Sequence, residues 1–345
     1  MMSEIDLDAA VRAGILDATT RERLIAFTSE NSAAASVDRA GPDEESFRLL
    51  TGFNDIFVTI AIGLVLFAIS SLGGRITPIL GSGLVAAAGW GLAEYFTRIR
   101  RMALPSIVLL LAFVGGVFGT VLAVTNGGSS LGVETHGSLG VVAAAAAAAI
   151  AAYLHWRRFM VPITVAAGAA AVGGTVLATV AALMPVSPDL LLVLVLLSGL
   201  ATFALAMSFD MRDRARVTRW TDVAFWLHLL AAPAIIHPVF ALAGLLRGNP
   251  APGAAVAVIA VYAGLTLVAL AIDRRALLVS ALAYVVYAIQ SLVVSGGALD
   301  MSFALTALVL GSFLVLLSAA WRPIRARVLA MLPASLTARL PVVTV

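Results

Sequence analysis

Cysteine is absent from the 345 residues, and so is lysine. The first absence excludes disulfides, thiolate metal sites and cysteine nucleophiles. The second leaves arginine to supply all 22 strongly basic residues, a usage that fits a GC-rich bacterial coding sequence. Charge of either sign is scarce. Asp, Glu, Lys and Arg make up 12% of the chain, about half of the roughly 25% found in soluble domains. Apolar residues fill their place, at 61% of the chain with a mean hydropathy of +1.04. A water-soluble globule could not hide that much apolar surface behind so few polar side chains. The composition excludes a soluble enzyme, a disulfide-stapled secreted domain and a disordered regulator. It predicts an all-α polytopic membrane protein whose first partner is the lipid bilayer.

The net charge of +3 hides an asymmetry. Residues 1–50 carry ten Asp/Glu against five Arg, and the remainder carries nine against seventeen. The high pI therefore comes from loops between apolar runs. Nucleic-acid binding is not expected, because it needs basic residues gathered on one solvated face. The polar, acidic opening does not read as a signal peptide. Residues 1–30 read instead as a small cytoplasmic helical hairpin. Ile5, Leu7, Val11, Ile15 and Leu16 supply its apolar positions, and Gly14 suits a C′ residue. Thr19-x-x-Glu22 has the pattern of a capping box for the second helix. Such a hairpin is too small for its own core, so it is expected to dock on its membrane domain or on a cytoplasmic protein partner. Residues 31–53 read as a flexible linker.

From residue 54 the chain becomes a series of runs near the roughly 20 apolar residues that cross a bilayer. Ten are read: 54–72, 77–97, 103–124, 138–155, 159–183, 189–209, 221–246, 252–272, 276–294 and 299–320. The membrane domain is thus 54–320, with 321–345 as a cytoplasmic tail. Alternating the loops from a cytoplasmic N-terminus leaves only Arg75 and Arg247 outside. The other Arg residues fall inside, as the positive-inside rule requires. The expected location is a bacterial inner membrane with both termini cytoplasmic. A weak internal similarity accompanies the count. Arg100-Arg101-Met-Ala-Leu-Pro105 resembles Arg157-Arg158-Phe-Met-Val-Pro162, fifty-seven residues on, and each opens an outward-going helix followed by a Gly pair. Hairpin duplication builds many transporters, although basic interface residues and a proline near a helix start recur in any multi-span chain.

Ionisable groups within spans are costly, so each is a site candidate. Asp55 and Asp222 open outward-going spans, where a carboxylate caps free N–H groups and meets the positive end of the helix dipole; the functional alternative is a pair of acids at a cytoplasmic vestibule. Glu94 lies near a helix C-terminus, where the dipole disfavours it. Arg98 follows at i+4 and suits an ion pair, the alternative being a coupling carboxylate facing a cavity. The seventh span holds His228, Pro233, His237 and Pro238. The prolines free the carbonyls of Leu229 and Ala234 and mark candidate helix breaks. Unpaired backbone at membrane depth is tolerated beside water or a polar neighbour, so a pocket is expected there. The two His are nine residues apart, on opposite sides of an ideal helix, and cannot chelate one metal. Each reads as a hydrogen-bonded packing residue or, for His237, as a proton relay. Gln290, Tyr284 and Tyr287 in the ninth span line a polar pathway or bond between helices.

Enzyme motifs fail. No H-E-x-x-H zinc site or P-loop is present, and Gly81-Ser82-Gly83 lacks the strand–turn–helix setting of a nucleophile elbow. Glu94-x-x-x-Arg98 is faintly similar to the Glu-Glu-x-x-x-Arg motif of intramembrane CAAX-type proteases, but Ala93 stands where the first Glu would. No metal or cofactor is expected. The stretch Ala10-Val-Arg-Ala-Gly14-Ile-Leu-Asp17, the linker and the Arg-rich inner loops together resemble a family of uncharacterised bacterial predicted inner-membrane proteins. That resemblance implies an inner-membrane location and no site residues. Ten short spans also resemble, in layout, the five-plus-five helices of the drug/metabolite transporters. The reading is a small-solute transporter or solute-binding membrane protein, with a solute or proton as ligand. The alternative is a membrane scaffold or sensor docking a partner through residues 1–30.

Overall fold

The computed structural model describes residues 53–127, 139–214, 218–242, 252–275 and 302–337, with isolated residues outside these stretches. The chain divides into two units, Met1–Ser46 with Thr344–Val345, and Phe47–Val343. In the first unit the described residues include a helical turn at 19–23 and Gly14 at φ +69°, the left-handed conformation of a C′ glycine. The Asp17 carbonyl accepts from the Arg21 N–H at 3.0 Å. The second helix therefore starts upstream of Thr19, and Thr19 is not its cap. The rest of the expected hairpin, and nearly all of the linker at 31–53, lies outside the described residues.

All helices named below belong to the second unit. They are α1 (Phe53–Ile76), α2 (Pro78–Ala93), α3 (Ala103–Thr125), α4 (Leu139–Phe159), α5 (Ile163–Leu183), α6 (Pro188–Arg212), α7 (Arg219–Leu242), α8 (Pro252–Ile272), α9 (Ser302–Ala319) and α10 (Trp321–Ala330). A π-helical turn, Glu94–Ile99, continues α2. Among the described residues there is no strand. Seven helices, α1 to α7, are long and apolar enough to cross a bilayer, with mean hydropathies of 1.2 to 2.7. Ala260–Ile272 and Leu310–Ala319 are shorter apolar stretches within α8 and α9. Of the expected span 276–294, residues 277, 278, 282, 285 and 286 are described, and they are helical. The observed helix ends lie within about one turn of those read from the sequence. The difference matters at two places. Arg157 and Arg158 fall inside the last turn of α4, and Asp210 and Arg212 inside α6, beyond the ends at 155 and 209 read from the sequence.

Local chemistry explains the starts. Thr77 caps α2 by accepting the Leu80 N–H at 3.1 Å, and Ser187 caps α6 by accepting that of Leu190 at 3.2 Å. A proline follows each cap at the first helical position, where its missing N–H costs nothing. Along α1, Phe57, Ile60, Leu64 and Phe67 are all 59–71% exposed. That stripe is i, i+3, i+7, i+10, a single helix face, and in water it would drive aggregation. In hydrocarbon it costs nothing, so a large apolar side chain need not be buried to be tolerated.

Four short turns share one end of the bundle. They follow α2, α4, α6 and α8, and each contains a non-glycine residue at positive φ: Arg101 (52°), Met160 (55°), Arg216 (55°) and Asp273 (60°). Their intervals of 56 to 59 residues match the offset seen in the sequence. The helices joined through the first three of these turns are the most closely paired in the fold. The bundle is therefore a series of tight hairpins closed at the Arg-rich end. Close approach within one hairpin rests on glycine: a Cβ on Gly116 would meet the Ala86 backbone N at 2.6 Å. The expected C-terminal tail begins as a helix, α10, whose Trp321 and Arg325 are buried.

Candidate functional site

Among the described residues the sequence candidates fall at separate places in the bundle, apart from Asp222 and His228, which both lie near Arg274. Asp55 is buried in the first turn of α1, and Asp222 is half-buried in the first turn of α7. Glu94 is held by two arginines. Arg98 of its own helix lies at 3.2 Å, as i+4 spacing predicts. Arg158 of α4 adds a bidentate clasp at 2.7 and 2.9 Å, which the sequence did not reveal. α7 runs unbroken through Pro233 and Pro238, the first exposed and the second buried. The prolines are thus accommodated within the helix and do not interrupt it, and the cavity described below is not lined by α7. His237 is exposed and His228 fully buried, the opposite placement that nine residues of helix dictate. Gln290, Tyr284 and Tyr287 lie outside the described residues.

The structure gathers a different set around His228. Its Nε2 is 2.9 Å from Asp210 Oδ2, at the end of α6. Arg274, just beyond α8, donates from Nε to the same oxygen at 3.3 Å and from Nη2 to Oδ1. Nη2 also donates to the Thr221 carbonyl at 3.3 Å. One carboxylate ties the ends of α6 and α8 to the body of α7. Asp210, His228 and Arg274 are 2%, 0% and 1% exposed, so water screens nothing, and the side-on Arg–carboxylate geometry is the one that compensates desolvation best. Two polar atoms are left over: His228 Nδ1 and Arg274 Nη1 are buried and lack a hydrogen-bond partner. With Nε2–H donating to Asp210, neutral His228 presents Nδ1 as an acceptor. The Phe203 ring stands edge-on to the imidazole at 5.2 Å.

A second polar layer surrounds this core. Asp213 accepts from the Thr218 N–H at 2.9 Å and from the Thr221 hydroxyl at 2.9 Å, shaping the α6–α7 turn. Arg216 reaches Asp273 Oδ2 at 3.1 Å. Asp273 Oδ1 accepts from Trp321 Nε1 at 2.8 Å and lies 3.4 Å from Arg325 Nε. A second buried histidine, His155, contacts Thr164 Oγ1 at 3.2 Å and stands among Trp90, Phe113 and Phe159. Its Nε2 is buried without a hydrogen-bond partner.

Asp210, Arg274 and their neighbours were read in the sequence as loop charges. One signal for them was available. Glu94 and Arg158 are 64 residues apart, and so are Asp210 and Arg274. In both cases an acid at the end of an even-numbered helix binds an arginine at the end of the next even-numbered hairpin strand. The first copy is partly exposed, with side chains at 41% and 32%; the second is sealed and has gained His228. The clasps should differ in consequence. Glu94→Gln is expected to leave the thermal unfolding of detergent-solubilised protein near wild type, since water replaces an exposed pair. A loss matching that of Asp210→Asn would show that the Glu94 clasp holds the fold.

Among the described residues no group of His, Asp and Glu is arranged to hold a metal ion. No family model, curated protein or solved structure matches the chain.

Proposed function

We propose that this integral membrane protein is a ten-span small-solute transporter or solute-binding protein of a bacterial inner membrane, with its Arg-rich end in the cytoplasm. The observation that carries the reading is the sealed Asp210–His228–Arg274 cluster and its two unpaired polar atoms. Ionisable groups kept at such cost inside a membrane bundle mark ion and substrate pathways. With neutral His228 the cluster balances one anion with one cation. A proton taken up at Nδ1, or a solute carboxylate bound at Arg274 Nη1, upsets that balance. Either event would loosen the grip by which Asp210 joins α6, α7 and α8, which is how a local charge change becomes a helix movement. The recurring hairpins and the resemblance to bacterial inner-membrane proteins agree with this reading.

The test uses the full chain in proteoliposomes with a trapped pH dye. Amino acids, sugars, nucleosides and organic acids are added in turn. One class is expected to drive an internal pH change with wild type, and His228→Gln, which keeps the Asp210–Arg274 pair, is expected to abolish it. A solute response that survives His228→Gln assigns the pathway elsewhere. The scaffold reading draws on the closure of the cluster on all sides. It predicts no flux with any solute, and loss of function in cells when residues 1–46 are deleted.

A further inference from the structure

Of the buried and half-buried arginines described at this end of the bundle, all but one are matched to acceptors. Arg216 and Arg325 share Asp273, Arg325 also holds the carbonyls of Leu270 and Pro341, and Arg274 holds Asp210. Asp273 is fully used, because Trp321 and Arg325 take one oxygen and Arg216 the other. Arg275 follows Asp273 and Arg274 directly in the chain, two residues after the first and one after the second, yet no carboxylate or carbonyl among the described residues accepts from it. Its guanidinium lies over the Trp321 ring, 5.0 Å from the centroid, and its Nε is buried without a hydrogen-bond partner. A half-buried cation with only a ring beneath it is an unfilled anion position.

Arg275 and Trp321 also line a cavity of about 180 Å³. Its other walls are Leu278, Leu282, Leu314 and Leu317, with Ser318 and Tyr262. The Tyr262 hydroxyl is buried and has no hydrogen-bond partner, and the whole residue is 4% exposed. An apolar cavity of about 150 Å³ takes up a benzene-sized ligand, so this one has room for a short length of hydrocarbon chain. Arg275 follows the end of α8, whereas Tyr262 sits ten residues before that end, about 15 Å deeper along an ideal helix. The cavity therefore has a cationic rim at the Arg-rich end and leucine walls that lead toward the bilayer centre. α10 carries Arg322, Arg325 and Arg327 beside Trp321, and Arg and Trp together mark the headgroup level of a membrane.

We infer that this cavity binds an anionic phospholipid, with the first few carbons of one acyl chain between the leucines, the rest of the chain in the bilayer, and the phosphate on Arg275. Trp321 orients the guanidinium from below, and Tyr262 forms the deep wall of the cavity. A zwitterionic lipid offers the same chain but carries its own cation, which Arg275 repels. The inference requires only that the chain sits in a bilayer. It is independent of solute movement at the Asp210 cluster, so either can fail without the other.

The test is native mass spectrometry of the full chain released from nanodiscs of equal parts phosphatidylglycerol and phosphatidylcholine. Wild type is expected to retain phosphatidylglycerol preferentially. Arg275→Gln is expected to lower that retention about fivefold, the factor for one basic residue at an anionic surface. Leu314→Trp, which fills the cavity and keeps Arg275, is expected to lower it as much. Arg75→Gln, an exposed arginine in the last turn of α1, at the opposite end of the bundle, is expected to change nothing. Equal retention of the two lipids overturns the inference, as does an Arg275→Gln or Leu314→Trp protein that binds like wild type. Displacement of the bound lipid by inorganic phosphate alone would overturn the acyl-chain part, and displacement by laurate alone would assign the cavity to free fatty acids and overturn the phospholipid. If Arg275→Gln does not give a monodisperse protein, Leu314→Trp decides.

Discussion

Asp210→Asn is expected to destabilise the protein by about 3–5 kcal/mol, the cost of leaving one member of a buried ion pair without its partner. The amide keeps the shape of the carboxylate, and an oxygen that can accept one hydrogen bond. It removes the negative charge that faces Arg274, which is 1% exposed and cannot turn to water. The loss should appear as earlier unfolding on titration with denaturing detergent. Its electrostatic origin can be isolated with a double variant. Arg274→Met with Asp210→Leu replaces both charges by apolar groups of similar length, and well-packed replacements of buried pairs are often neutral or stabilising. The double variant is therefore expected to recover most of the stability while remaining inactive in the proton-flux assay. If the double variant is as unstable as Asp210→Asn, the hydrogen bonds to His228 and to the Thr221 carbonyl hold the helix ends, and charge balance is secondary.

Gly116→Ala is the second large effect. The new Cβ would stand 2.6 Å from the Ala86 backbone N and 2.8 Å from the Ser82 carbonyl oxygen. Both obstacles are backbone in the facing helix α2, so no rotamer change relieves the contact, and α2 and α3 must separate. Separation loosens the tight packing that substitutes for a hydrophobic drive in lipid, and overpacking of this kind costs about 1–3 kcal/mol or more. The neighbouring residue supplies the control. A Cβ on Gly115 meets nothing within 4 Å, and Gly115→Ala is expected to be neutral or slightly stabilising through helix propensity. Expression yield and unfolding of the two variants, measured side by side, check the prediction. Equal behaviour of Gly115→Ala and Gly116→Ala would mean that the α2–α3 distance is not set by this contact.

The Gly115-Gly116 pair shows where reading the sequence stops. The sequence shows the two only as the Gly pair of a repeat, and the rotation of α3 against α2 decides that one is locked and the other free. Glu94 follows the same pattern. Its pairing with Arg98 was legible because i and i+4 are neighbours on any helix. Its stronger clasp with Arg158 was not, because 64 residues of chain separate the two. His228 and His237 were correctly assigned to opposite faces by helical phase. Which face is buried depended on the neighbours of α7.

The all-helical, membrane-embedded character, the placement of the helices from α1 to α9 and the grouping of arginine at alternate turns were determined by the sequence alone. The physical reason is local: a run of apolar residues must satisfy its own backbone within lipid, and only a helix does so. The candidate site was decided by tertiary structure. Asp210, Arg216, Asp273, Arg274 and Arg275 all sit in or beside short turns, where a charge ordinarily faces water. Hairpins packed at one end enclose those turns, and enclosure converts solvated loop charges into a buried network with one arginine left over. Burial of a turn depends on what lies next to it in space, and spacing along the chain does not carry that information.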